Sequence, residues 1–243
     1  GAEKMVLITL ACLDRTRWRP VLMHYPNAAA AELAGAARDL GVETRAVPGA
    51  TGVRGIPELP RFAAALRAES ASILHAHLVG PLRCTKAFIA ARMAGIVPVA
   101  TQHLYGDLPR PQDRLRQRFA ASLVDTYIAV SDGIARELRA HVPKGAKVVV
   151  IRNAIDPTRF RAADGEAVRR ELVGDTGRAL VLVLARLHER KGVTHLISAV
   201  ESLPDVVLAI AGDGPEMDRL SRQAAKAGIA DRVRFLGTRN DVP

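Results

Sequence analysis

Arg186 and Lys191 bracket a basic segment, Arg186-Leu187-His188-Glu189-Arg190-Lys191-Gly192, between an apolar run, Ala179–Ala185, and a helical pattern over Val193–Leu203. In open α/β sheets ligands bind outside the carboxyl ends of the strands. A helix start adds free N–H groups and positive partial charge. An arginine takes a phosphate by two parallel hydrogen bonds, and a lysine adds a point charge. The pair therefore suits a diphosphate. A solvated charged loop is the alternative reading of the same residues.

Further strand ends carry glycines. Ala211-Gly212-Asp213-Gly214-Pro215-Glu216 follows the apolar run Val206–Ala211, and Gly237 follows Val233-Arg234-Phe235-Leu236. Glycines there allow a tight turn or the close approach of a ligand. Gly and Pro are also general punctuation, so a turn without a ligand explains them equally. Earlier in the chain, His75 and His77 share one face of a strand, because side chains repeat every two residues. A metal site would need a third ligand, and no acidic or Cys partner stands nearby in sequence, so no metal is expected. His103 ends another strand and enters a loop with Gly106 and Pro109, where it could meet a substrate.

These residues need elements to hold them. Helical periodicity is read over Met5–Leu13, Ala28–Leu40, Leu59–Arg67, Pro81–Ala94, Pro111–Val124, Asp132–His141, Asp164–Leu172, Val193–Leu203 and Glu216–Ala227. Short apolar strands are read at Arg19–His24, Val42–Val47, Ser72–Leu78, Val97–His103, Thr126–Val130, Lys147–Ile151, Ala179–Ala185, Val206–Ala211 and Arg232–Leu236. Alternation of this kind means βαβ units and parallel sheets. Gly41 is a natural stop for the second helix, and Ser131 can cap the sixth. The polar Gly174–Arg178 segment reads as a linker, which places a boundary between domains 1–172 and 173–243. Within Pro111–Val124, Leu115, Phe119 and Leu123 stack one turn apart as an apolar stripe. Arg110, Arg114 and Arg118 form a basic stripe, read first as a solvated face and otherwise as a contact for lipid headgroups or an anionic acceptor.

Composition bounds the function. Half of the 243 residues are hydrophobic, enough for a large core, but only 4% are aromatic. No apolar run is long enough to span a bilayer. Met5–Leu13 has the length of a signal-peptide core, yet its flanks favour a buried helix. Cys12 and Cys84 lie far apart, which fits a reducing cytosol. The net charge of +10 is uneven: residues 1–172 hold 25 basic and 16 acidic residues, while residues 173–243 hold 10 and 9. A basic first part attracts phosphorylated or anionic partners. Without interleaved aromatics or a reader motif, nucleic acid is not expected.

Taken in order, Leu184-Ala185-Arg186-Leu187 … Lys191-Gly192, Ala211-Gly212-Asp213-Gly214-Pro215 and Asp231-Arg232-Val233-Arg234-Phe235-Leu236-Gly237 resemble the second domain of glycosyltransferase family 4 (group 1). The first domain agrees. Gly1-Ala2-Glu3 resembles the end of that family's Gly-Gly-x-Glu turn, and Ile73-Leu74-His75-Ala76-His77 its His-x-His strand. Ala129-Val130-Ser131 and Val150-Ile151-Arg152-Asn153-Ala154-Ile155-Asp156 match two later signatures. The resemblance implies a GT-B fold of two Rossmann-like domains, the second incomplete, with the chain an internal fragment of a longer enzyme. It implies a retaining hexosyltransferase taking a UDP-, GDP- or ADP-sugar, with no cofactor and no metal, in the cytoplasm or peripherally at the membrane face. The acceptor would be a sugar, a lipid-linked molecule or a polysaccharide. Arg186 and Lys191 would hold the donor diphosphate, with Gly1, Gly212, Gly214 and Gly237 also donor-binding, and His103 would lie near the transferred sugar. Where the family has Gly in its Asn-Gly signature this chain has Ala154, which is strained if that position needs positive φ. The rival readings are a nucleotide-sugar epimerase or phosphorylase of the same fold, and a non-catalytic nucleotide-sugar-binding module.

Overall fold

A computed structural model describes residues 1–47, 58–106, 110–158, 160, 165–174 and 176–239. Pro109, Asp164 and the final Asp241–Pro243 lie outside these. The chain divides into two compact units, Gly1–Asp156 and Pro157–Pro243.

The first unit runs α1 (Ala2–Cys12), β1 (Val21–His24), α2 (Ala28–Asp39), β2 (Glu43–Ala46), α3 (Leu59–Ala68), β3 (Ile73–Leu78), α4 (Thr85–Ala94), β4 (Val97–Gln102), α5 (Pro111–Ser122), β5 (Thr126–Ala129), α6 (Asp132–His141) and β6 (Lys147–Val150). Strands β3 to β6 pair in sequence order, all parallel, and β1 and β2 form a separate parallel pair. Parallel neighbours need a crossover, and here the helices supply it. Small residues build much of the core: Ala76, Ala100, Ala121, Ala129 and Ala135 pack with Leu78, Phe88, Tyr127 and Leu138.

The second unit runs α7 (Glu166–Val173), β7 (Ala179–Leu184), α8 (Val193–Glu201), β8 (Val206–Ala211), α9 (Met217–Lys226) and β9 (Val233–Gly237), with the parallel sheet order β7-β8-β9. Strand β8 is buried on both faces. Its Leu208 and Ile210 pack with Val193, Ile197 and Leu220, while the alternate residues Val207 and Ala209 pack with Leu172 and Val173. A near-continuous apolar strand is what such a position requires.

Local chemistry explains several boundaries. Asn27 and Ser131 each accept a backbone N–H from the first turn of α2 and α6. Past α2, Gly41 adopts φ 71° and Val42 N–H returns to Ala37 O at 3.0 Å, a left-handed stop that glycine adopts without penalty.

The structure differs from the sequence reading in five places. The division falls at Asp156/Pro157 and not at 172/173, because α7 buries Leu172 and Val173 against Val207 and Ala209 of the second unit's sheet. Helix α1 has no fully buried residue, so it is a half-covered surface helix. Helix α4 begins at Thr85, four residues later than Pro81, because Cys84 is left-handed at φ 62°. On α5 the stripe of Leu115 and Phe119 faces away from the core, and Gln117, Ala120 and Ala121 are buried instead. Ala154 has no positive φ, so the replacement of glycine there carries no backbone strain.

Candidate active site

Arg186 stands just past the carboxyl end of β7 and Lys191 closes a short 3-10 turn, Glu189–Lys191, ahead of α8. Both side chains are exposed. Between them Leu187 is completely buried and pins the loop. Its N–H donates to Asp213 O at 2.8 Å, and its carbonyl accepts from Glu216 N–H at 3.2 Å. The strand pairing continues past the sheet, since Ala185 N–H donates to Ala211 O at 3.0 Å. The two cations therefore project from a backbone already fixed by its neighbour loop, and what remains to be ordered when an anion binds is their side chains. The α8 start has no side-chain cap, and its Gly192 and His195 N–H groups donate to the Glu189 and Gly192 carbonyls, each at 2.9 Å.

Gly212 and Gly214 face this same loop. A Cβ on Gly212 would lie 1.9 Å from Ala185 O, and one on Gly214 would lie 2.3 Å from Leu187 O. The close approach that requires glycine here is that of one backbone to another. Gly212 N–H also donates to Gly237 O at 2.7 Å, so all three strand ends are stitched together. Gly237 itself is left-handed at φ 63°.

A shallow surface crevice lies between the starts of α8 and α9, lined by His188, Glu189, Val193, Thr194, Glu216, Arg219 and Leu220. Arg186 and Lys191 do not line it. Arg219 already pairs with Glu216 there, so neither an unpaired arginine nor a lysine is among its lining residues.

In the first unit the parallel register sets His77 level with Thr101, which brings His103, two residues on, beside it. His103 N–H donates to Leu78 O at 2.8 Å. His77 Nδ1 and His103 Nε2 are 3.0 Å apart, and His75 Nε2 meets Thr101 Oγ1 at 2.8 Å. The rings stack in a row, with centroids 4.6 Å apart for His75 and His77 and 5.3 Å for His77 and His103. Desolvation by the stacked neighbours disfavours the imidazolium in all three, although His75 keeps an exposed edge and His77 and His103 are half-buried. His77 is pushed lowest, to about 3, by burial and then by the charges of His75 and His103. His103 is lowered by burial first, and the start of α1 lies near it. With both rings neutral, one nitrogen of the His77–His103 bond donates and the other accepts, which couples their tautomers. Among the described residues, no group of three or more His, Cys, Asp or Glu is arranged to hold a metal ion.

The loop after His103 is fastened too. Gln117 donates to the Tyr105 hydroxyl, and the Tyr105 ring lies against His141 with centroids 5.3 Å apart. Burial, then the charge of Glu137, raises the Tyr105 phenol to about 12. Sequence reasoning passed over Tyr105, Gln117 and Leu187.

Comparison with known proteins follows the same division. The Glycosyltransferase Family 4 model matches residues 1–159 and the Glycosyl transferases group 1 model matches residues 164–243. An alpha-maltose-1-phosphate synthase of Mycolicibacterium smegmatis is 29% identical over 181 residues, covering 66% of this chain and 45% of the relative. A GDP-mannose-dependent alpha-(1-6)-phosphatidylinositol monomannoside mannosyltransferase of the same organism is 32% identical over 166 residues, covering 65% and 41%. The chain thus spans less than half the length of these two relatives. Among solved structures, Anabaena Alr3699/HepE in complex with UDP matches with a TM-score of 0.77 at 22% identity, covering 100% of this chain and 67% of that one. A glycosyltransferase from Rickettsia africae matches with a TM-score of 0.79 at 13% identity, covering 98% and 65%. At these identities the likeness is one of fold, and the fold is GT-B.

Proposed function

Because the chain belongs to glycosyltransferase family 4, with its second unit matching the group 1 glycosyl transferases, we propose that the protein of which it forms part transfers a sugar from a nucleotide-sugar donor to an acceptor. The observation that carries this reading is the pair Arg186 and Lys191, exposed on a pinned loop at a strand's carboxyl end. Among the described residues neither has an ion-pair partner. Two fixed cations stabilise negative charge as it develops on the departing diphosphate. In this reading they take the place of a metal ion.

The reaction retains anomeric configuration. The acceptor hydroxyl attacks the anomeric carbon from the face that the diphosphate leaves. The bond from that carbon to the phosphate oxygen breaks as the new glycosidic bond forms, and the hydroxyl proton passes to the leaving diphosphate. Neutral His103, beside the start of α1, contacts the sugar as a hydrogen-bonding group. The acceptor is lipid-linked or a polysaccharide, and the basic first part of the chain works against an anionic surface at the cytoplasmic face of a membrane. Support comes from relatives named for mannosyl transfer to a phosphatidylinositol mannoside and for lipopolysaccharide core assembly.

Calorimetry with UDP, GDP and ADP tests the donor site. One nucleotide is expected to bind selectively, and Arg186→Ala or Lys191→Ala each to weaken it by about 1.5–3 kcal/mol, the worth of a charge-assisted hydrogen bond. Unchanged affinity in both variants would reject the assignment. Binding intact but no transfer by the longer protein would favour a binding module.

A further inference from the structure

Helix α5 wears its bulky apolar residues on the outside. Leu115 is 72% exposed and Phe119 54% exposed, one turn apart. Gln117, Ala120 and Ala121 occupy the opposite, buried face. At 100° per residue, Arg114 and Arg118 fall on one flank of the Leu115–Phe119 ridge and Arg116 on the other, with Arg110 at the N-cap. Asp113, which Arg116 meets at 3.6 Å, is the only acidic residue of the helix.

We propose that α5 is the element by which the first unit docks on an anionic lipid surface, with Leu115 and Phe119 inserted among the acyl chains and the flanking arginines on headgroup phosphates. The proposal deepens the membrane-face reading given above and rests on it. An apolar ridge between cationic flanks is the pattern of a helix lying in the plane of an interface. Long arginine side chains can run along the helix and still place their guanidinium groups in the headgroup layer. A protein partner fits less well. Interface cores are depleted in charged residues and a stable contact buries roughly 800 Å2 per partner, whereas this ridge is two residues wide and ringed by arginines. A bilayer leaflet supplies a continuous anionic layer with an apolar layer beneath it, which matches both parts of the ridge.

Co-sedimentation with vesicles of phosphatidylcholine alone, or mixed with phosphatidylglycerol, tests this. The chain is expected to bind the mixed vesicles, and binding is expected to weaken as salt is raised. Leu115→Ser/Phe119→Ser is expected to reduce the partition coefficient about tenfold or more, from the lost apolar insertion. Arg118→Glu is expected to reduce it only on anionic vesicles. All three substituted side chains are exposed, and circular dichroism verifies that the variants fold. If the chain binds anionic vesicles but the double variant binds equally, membrane contact stands and α5 is not its element. If the chain binds no vesicle, both readings fail. If light scattering shows a dimer that Leu115→Ser/Phe119→Ser dissociates, the ridge belongs to a second copy and the proposal is overturned.

Discussion

His103 and His77 share one hydrogen bond at 3.0 Å inside a stack that burial keeps uncharged. Through that bond His77 fixes which nitrogen of His103 carries the proton. His77→Phe keeps a stacking ring and removes the bond. It is expected to change the tautomer balance of His103, read from its ring nitrogen shifts by NMR, and an unchanged spectrum would reject the coupling. His103→Ala is expected to lower turnover more than donor binding in a transfer assay, and equal loss in both would reduce His103 to a positioning role. The sequence placed His75 and His77 on one face of a strand and His103 at the end of another, with nothing to join them. Only the register of β3 against β4 makes neighbours of residues 26 positions apart in the chain.

The glycines of the β8–α9 turn show how one residue type carries two meanings. From the sequence, Gly212 and Gly214 read equally as a turn or as the approach of a ligand. In the structure the Cβ position of each is filled by the carbonyl oxygen of the neighbouring loop. Gly214→Ala is therefore expected to destabilise the second unit by roughly 1–3 kcal/mol, the usual result of forced overpacking, and to weaken nucleotide binding only through displacement of the Leu187 loop. Urea unfolding beside calorimetry separates the two effects. Ser131→Ala is expected to destabilise the first unit by about 1 kcal/mol, because the Ile134 N–H loses its acceptor. That cap was legible in the sequence because capping is local. The orientation of α5 was not, since periodicity reveals that a stripe exists and leaves open which of two faces meets the core. Here close packing selected the small side chains of Ala120 and Ala121.

At the scale of the molecule, the partly covered histidines with lowered pKa values set how the first unit responds to acid. The folded pKa values of His75, His77 and His103 lie below the ordinary imidazole value, and that of His77 lies at about 3. The unfolded chain therefore binds more protons as soon as the pH drops below about 6.5, and stability falls from there until the folded groups titrate. For His77 the loss is at most roughly 1.4 kcal/mol per pH unit crossed. Urea midpoints are expected to drop between about pH 7 and pH 5, and to drop less in His77→Phe; identical pH dependence would contradict the burial of a neutral ring. The sequence by itself determined the order of helices and strands, the parallel class of the sheets, the caps and the two cations after β7. Periodicity, capping and the chemistry of a strand-end loop all act within a few residues. The tertiary structure decided where the chain divides, because α7 is helical wherever it packs and only its contact with Val207 and Ala209 assigns it to the second unit. It also decided that the histidines stack, that the glycines meet backbone, and that α5 turns Leu115 and Phe119 outward. Each of these depends on which distant segments are brought together, and local sequence carries no record of that.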